Sequence, residues 1–164
     1  MTVRFMKGTP YEELERQMQM IPRFTKSMAG QLPFFFFLPN HRDRFESRWN
    51  GHGRAADEDA MCAALYLLSA DRLLWEKAEG AVLPEMIRFR EIRIQGIDLQ
   101  EYVLYHVAKD LYQGSGQISL SELTDPELVS SQTFRLVLSA FLIRRYGAAV
   151  LKENGGKVEV WRDK

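Results

Sequence analysis

The chain has 164 residues, 22 basic and 22 acidic side chains and a formal net charge of zero, and 46% of its residues are apolar. A chain of this length and apolar content buries enough surface to fold without a disulfide or a metal, which excludes general disorder and a stapled mini-scaffold. One cysteine, Cys62, excludes an internal disulfide framework and a cysteine-based zinc site. The zero net charge removes the simplest case for a nucleic-acid partner, though not a local basic patch.

Thr9-Pro10-Tyr11-Glu12 predicts a helix start: Thr9 caps, Pro10 suits the first helical position and Glu12 completes a capping box. That helix runs to about Met20, because Pro22 disfavours helical geometry at Ile21, and its apolar stripe is Leu14, Met18 and Ile21. Arg23 to Gln31 reads as a loop. The run from Leu32 to Leu38 contains four consecutive phenylalanines, Phe34–Phe37, bounded by Pro33 and Pro39. It is far shorter than the about 20 apolar residues of a bilayer span. It fits a strand buried on both sides or a loop plugging an apolar slot; exposed, it would be a partner-binding patch.

Pro39-Asn40 predicts a second helix, ending near Asn50 with Gly51 as its stop. Phe45 and Trp49 are four apart and expected to face the core, with His41, Arg44 and Arg48 on one flank. Asp57-Glu58-Asp59 opens a third helix, with acids where the helix dipole favours them and Met61, Leu65 and Leu68 as its stripe. Ser69-Ala70-Asp71 either breaks that helix or passes through to Leu74 and Trp75. Pro84 opens a short helical turn through Met86–Phe89, and Ile92 and Ile94, alternating with charge, fit a short strand.

Asp98-x-x-Glu101 is a second capping box, predicting a helix to about Tyr112 and a turn at Gly114-Ser115-Gly116. Ile118-Ser119-Leu120 fits a short strand, and Ser121 to Leu128 a short helix broken at Asp125-Pro126. Ser131 to Tyr146 is a strong helix stopped by Gly147. Ala148–Lys152 and Lys157–Trp161 flank Glu153-Asn154-Gly155-Gly156, a hairpin signal; the alternative extends the helix through Leu151. The expectation is a mainly α (α+β) fold: a single compact helical domain over residues 1–164 with short strands, a C-terminal β-hairpin and a weak joint near Gly96. With no long apolar run in Met1–Thr9, no leader is expected, and a reducing cytoplasm suits the lone Cys62.

Charge is unevenly spread. Residues 1–55 carry net +4 and residues 56–98 net −4, so the overall zero is a cancellation. Two expectations follow. Either the two segments neutralise each other, or a basic face is offered to an acidic partner. Within the basic segment, His41, Arg42, Arg44, Arg48, Trp49 and Arg54 form the best candidate binding surface, of a type that suits RNA, single-stranded DNA or an acidic protein. The competing expectation pairs these arginines with Asp43, Glu46 and the acids at 57–59.

From Ile97 onward the predicted order of helix, short strand, short helix, longer helix and hairpin is that of a winged helix. Ser131, Gln132, Thr133 and Arg135 would be its DNA contacts, with Lys152 and Lys157 on the wing. Against DNA binding, Leu136, Ala140 and Ile143 lie opposite Phe134, Leu138 and Phe141, so the longer helix is apolar nearly all round and belongs in a core or at a protein interface.

A hydrolytic metal site could be drawn from His41, His52 and nearby carboxylates, but no H-x-E, H-E-x-x-H or HD pair is present. His106 and Asp110, four apart on one helix, read as a hydrogen-bonded pair, and no nucleophile stands beside them. Cys62, in an alanine-rich helix without a basic neighbour, reads as a small apolar core residue. No phosphate-cradling glycine loop is present. No catalytic residue, cofactor or resident metal is therefore expected.

The strings Thr9–Phe24, Asn40–Gly53 and Phe141–Leu151 resemble small accessory proteins, without assigned catalysis, of the integrative and conjugative elements of Firmicutes. The resemblance implies a bacterial mobile-element protein that acts by binding, in the manner of the proteins by which such elements regulate transfer or inhibit CRISPR nucleases. It carries no site residues. Taken together, the sequence predicts a non-enzymatic protein–protein interaction or regulatory protein whose partner is a protein or nucleoprotein complex. The alternatives are a winged-helix DNA-binding regulator and a metal-dependent hydrolase.

Overall fold

The computed structural model describes residues 35–49 and 58–151, all within one compact unit. These residues are mainly helical. Six α-helices follow in order: α1 (His41–Arg48), α2 (Glu58–Leu68), α3 (Arg72–Ala78), α4 (Leu99–Gln113), α5 (Leu120–Leu123) and α6 (Ser131–Tyr146). Short 3-10 turns occupy Glu79–Ala81, Phe89–Glu91 and Ala148–Leu151. The helix expected near Thr9–Met20, the loop at Arg23–Gln31, Phe34, the Gly51 stop and the Lys152–Lys157 hairpin lie outside the described residues.

α2 is the centre of the fold. Every residue from Ala60 to Leu68 is buried, where the sequence indicated only a stripe of Met61, Leu65 and Leu68. Small side chains at Ala60, Ala63 and Ala64 let neighbours approach closely on all sides, and α2 packs against both α4 and α6. One core therefore runs across the joint expected near Gly96. α2 breaks at Ser69-Ala70, and the Asp71 side chain accepts the Leu74 N–H at 2.9 Å to cap α3.

The capping signals of the second half are realised as read. Asp98 and Glu101 form a reciprocal capping box on α4, which ends at Gly114 with φ 72°, a left-handed conformation that glycine adopts without strain. Ser130 caps α6, accepting the Thr133 N–H at 3.1 Å, and α6 spans Ser131–Tyr146 as predicted. Beyond Gly147 the chain winds into a 3-10 turn through Leu151, in place of the strand expected to begin at Ala148.

No strand is present among the described residues, which corrects two expectations. Ile92 follows a 3-10 turn and has no partner strand. Ser119 is an N-cap whose side chain accepts the Glu122 N–H at 3.2 Å, so Ile118–Leu120 leads into α5. The helical turn expected at Met86–Phe89 is likewise replaced. Val82 and Ile87 form an isolated antiparallel bridge around Pro84-Glu85, closed by Leu83 N–H to Met86 carbonyl at 2.8 Å. β-Branched alternation specifies a strand only where a second edge is available to pair with it.

Candidate functional site

The run Phe35–Leu38 is an irregular segment laid against the C-terminal end of α2. Phe35 is buried, and Phe36 and Phe37 are half-buried against the core. Tyr66 holds the segment: its hydroxyl donates to the Phe35 carbonyl at 2.6 Å, and its ring packs on Phe35 and Phe36. Of the two expected forms, the loop filling an apolar slot is the one found.

α1 docks on the same end of α2. His41 is 0% exposed, so it is a core residue and not part of a basic surface. Its Nε2–H donates to the Tyr66 carbonyl at 2.7 Å, and its ring lies 4.6 Å from that of Tyr66 and 4.9 Å from that of Phe36. Burial, reinforced by the charge on Arg44, pushes its pKa down to about 4, so the imidazole is neutral near pH 7. Nδ1 is left buried without a hydrogen-bond partner.

Arg44 is turned inward as well. Its Nε donates to the Ser69 carbonyl at 2.7 Å and its Nη2 to the Ala70 carbonyl at 2.9 Å. These groups lie just beyond the last turn of α2, where a cation is favoured by the helix dipole and the fork satisfies free carbonyls. Arg42 covers the Phe36 ring at 4.7 Å and pairs with Glu46 at 3.7 Å. Arg48 lies 4.0 Å from Glu79. Trp49 is half-buried beside Phe45. Arg54 lies outside the described residues.

The three arginines of α1 are thus engaged with carbonyls, an aromatic face and carboxylates of the fold. Their partners differ in part from those expected. Glu46 is one, but Glu58 and Asp59 begin α2 at its opposite end, about 15 Å from Ser69 by helical rise. The Asp59 carboxylate instead approaches Gly147, just past α6.

The second candidate set lies on α6. Ser131 and Gln132 are exposed, whereas Thr133 is buried and its hydroxyl accepts from Ser130 at 3.0 Å. Arg135 is half-buried with its guanidinium 4.4 Å from the Phe37 ring centroid. Lys152 and Lys157 are outside the described residues. The core face of α6 is Thr133, Leu136, Val137, Ala140 and Ile143. On the opposite side run Phe134, Leu138 and Phe141, at spacings of four and three. Leu138 is 40% exposed and both phenylalanines are half-buried. The recognition face of a DNA-reading helix would be polar here; in this protein it is apolar.

The remaining chemistry-bearing residues resolve into structural roles. Asp110 accepts from the Ser115 hydroxyl and from the Gln117 and Ile118 N–H groups at 2.7–3.0 Å. It ties down the turn after α4, and the hydrogen-bonded pair expected with His106 is not formed. His106 stacks on Tyr102 at 4.2 Å, and its Nδ1 is buried without a partner. Burial, with Asp59 and Glu58 nearby, raises the Cys62 thiol pKa, so it stays protonated at neutral pH. Among the described residues no group of three or more His, Cys, Asp or Glu is placed to hold a metal. His52, the second histidine of the hydrolase expectation, lies outside them.

The residues that sequence inspection left out of its candidate sites are Phe134, Leu138 and Phe141. Their signal was present: the 16-residue helix is apolar nearly all round, and where Phe134 and Phe141 pack against the edge of the core, Leu138 stays 40% exposed. Among the described residues no helix is long and apolar enough to cross a membrane. No family model, curated protein or solved structure matches the chain.

Proposed function

We propose that this is a non-catalytic protein that acts by binding another protein, and that α6 is the element it binds with. The observation that carries this reading is Leu138, 40% exposed on the side of α6 away from its core face and flanked by the half-buried Phe134 and Phe141. A solvated helix position is ordinarily polar, and an exposed leucine between apolar neighbours at helical spacing resembles the anchor pattern of helix-in-groove recognition. The reading is favoured over duplex binding because Thr133 and Arg135 are drawn into the fold and the outward face between the grooves would be apolar. It is favoured over metal-dependent hydrolysis because His41 is committed to a backbone carbonyl.

The resemblance to accessory proteins of conjugative elements supports a cytoplasmic bacterial setting. There such a face would occupy a host protein or nucleoprotein target, including a defence nuclease of the CRISPR type. The test is capture by the immobilised full chain from cells of the native host, run beside a Leu138→Glu variant. A discrete protein retained by the parent and lost by the variant is expected. Equal recovery by both, or no protein together with hydrolase activity in the purified chain, overturns the reading.

A further inference from the structure

We propose that residues 35–49 form a proton-operated latch: a proton taken up by His41 releases them as one unit from the end of α2, while α2, α4 and α6 stay packed on one another. The latch is independent of what α6 binds.

The geometry of attachment leads there. Three side chains tie residues 35–49 to the core, and all three act between Tyr66 and Ala70, at and just beyond the last turn of α2. The Tyr66 hydroxyl donates to the Phe35 carbonyl at 2.6 Å, and His41 Nε2–H donates to the Tyr66 carbonyl at 2.7 Å. Arg44 donates to the Ser69 and Ala70 carbonyls at 2.7 and 2.9 Å. His41 is the piece the ties share, because its ring lies against both Phe36 and Tyr66. By contrast, α2 packs against α4 and α6, and those two pack on each other. The joint therefore opens at lower cost than the core, and opens first.

Of the three tying side chains, histidine is the type that titrates in mild acid. With the Nε2 proton committed to the Tyr66 carbonyl, a second proton enters at Nδ1. That atom is buried with no hydrogen-bond partner, so the imidazolium would hold a donor with nothing to accept it. The surrounding charges oppose it too. Arg44, on α1 itself, is the cation that acts on the ring, and Asp71 before α3 offsets that arginine in part. Arg42 lies over Phe36, and the carboxylates of α1, Asp43 and Glu46, are exposed, with Glu46 turned to Arg42. α2 brings the neutral Tyr66 phenol, and from α6 Arg135 lies over Phe37 with its charge reaching Tyr66. The segment Phe35–Leu38 brings no ionisable group.

Once undocked, an eight-residue helix has little stability of its own in water, so α1 unwinds. Phe35, Phe36 and the slot around Tyr66 are then uncovered together.

The test is hydrogen–deuterium exchange of the full chain read by mass spectrometry from pH 7.5 to 4.5, with each rate corrected for intrinsic exchange at that pH. Protection of the α1 amides should fall about fiftyfold over this range, and 1 M urea should change the α1 rates by less than about twofold. Exchange through global unfolding would instead quicken about tenfold or more in that urea. The α4 amides should remain protected at pH 4.5. Cys62, at the buried centre of α2, should stay unreactive to dithiodipyridine, a thiol reagent that works in acid. His41→Gln, which keeps a donor and does not titrate, should remove the pH dependence at α1. Tyr66→Phe should quicken exchange at Phe36 and Phe37 at every pH and leave the pH dependence of α1 in place, so the latch stays testable if His41→Gln fails to fold.

Unchanged α1 protection down to pH 4.5 overturns the inference. So does loss of α1 and α4 protection together with the same urea sensitivity, or an unaltered pH dependence in a folded His41→Gln variant. None of these outcomes bears on α6 as a binding element.

Discussion

The His41 imidazole donates its Nε2 proton to the Tyr66 carbonyl across 2.7 Å, joining residues 25 positions apart in a site with no solvent exposure at the histidine. That bond explains why the densest basic stretch of the sequence begins inside the protein. With Arg44 on the Ser69 and Ala70 carbonyls, it fixes α1 to the end of α2 and closes the slot that holds Phe35.

Protonation of His41 should unfold the protein as pH falls. Its pKa is about 4 in the folded chain against the ordinary 6.5, so below pH 6.5 the unfolded chain takes up a proton that the folded chain refuses. Stability is insensitive to this group above about pH 6.5, declines between 6.5 and 4, and loses about 3 kcal/mol in all. His106, also lowered by burial, acts in the same direction. Denaturant melts across pH 4–7.5 check this, and His41→Gln, which keeps a donor and does not titrate, should flatten the slope.

Arg44→Ala should destabilise the protein by about 1–3 kcal/mol by leaving the carbonyls after α2 without their charged donors. Arg44→Lys should recover only part of this, since an ammonium cannot reproduce the planar fork. Arg42→Ala, whose carboxylate pair is solvent-exposed, should cost less than Arg44→Ala. Urea titration of the three variants gives the order.

Tyr66→Phe removes the hydroxyl that donates to the Phe35 carbonyl and should cost about 1–2 kcal/mol. The segment it ties down should then open more readily. Amide exchange at Phe36 and Phe37 should quicken more than exchange in α4, and equal acceleration in both would count against this role for Tyr66.

Asp110→Ala should free the turn Gly114–Ile118 by removing the acceptor for two backbone N–H groups and the Ser115 hydroxyl. Exchange should rise at Gln117 and Ile118. Because these hydrogen bonds hold the Asp110 pKa below the usual carboxylate value, the parent protein should show the same loosening only in strong acid.

Features set by neighbours in the chain were legible in the sequence. The Asp98–Glu101 capping box and the Ser130 start of α6 follow from side chains reaching backbone groups three residues away, and the stops at Gly114 and Gly147 from glycine's access to positive φ. Features set by distant groups were not. His41 sits among arginines and reads as polar; the carbonyl that buries it is supplied by Tyr66, and nothing near His41 announces it. Arg44 is the same case. Ile92, Ile94 and Ile118 carry a strand's alternation, but no edge is available to them in the described fold. The apolar character of α6 all round could be read directly, and the packing decided which side the core buries fully and which it covers in part.

The most direct test sets the two candidate surfaces against each other. The protein captured by the full chain should be titrated against the parent, Leu138→Glu and the double variant Arg42→Glu/Arg48→Glu, with folding checked by thermal melts. The account predicts loss of binding in Leu138→Glu and near-parent affinity in the double variant. Loss in the double variant with retention in Leu138→Glu would contradict it and return the binding surface to α1.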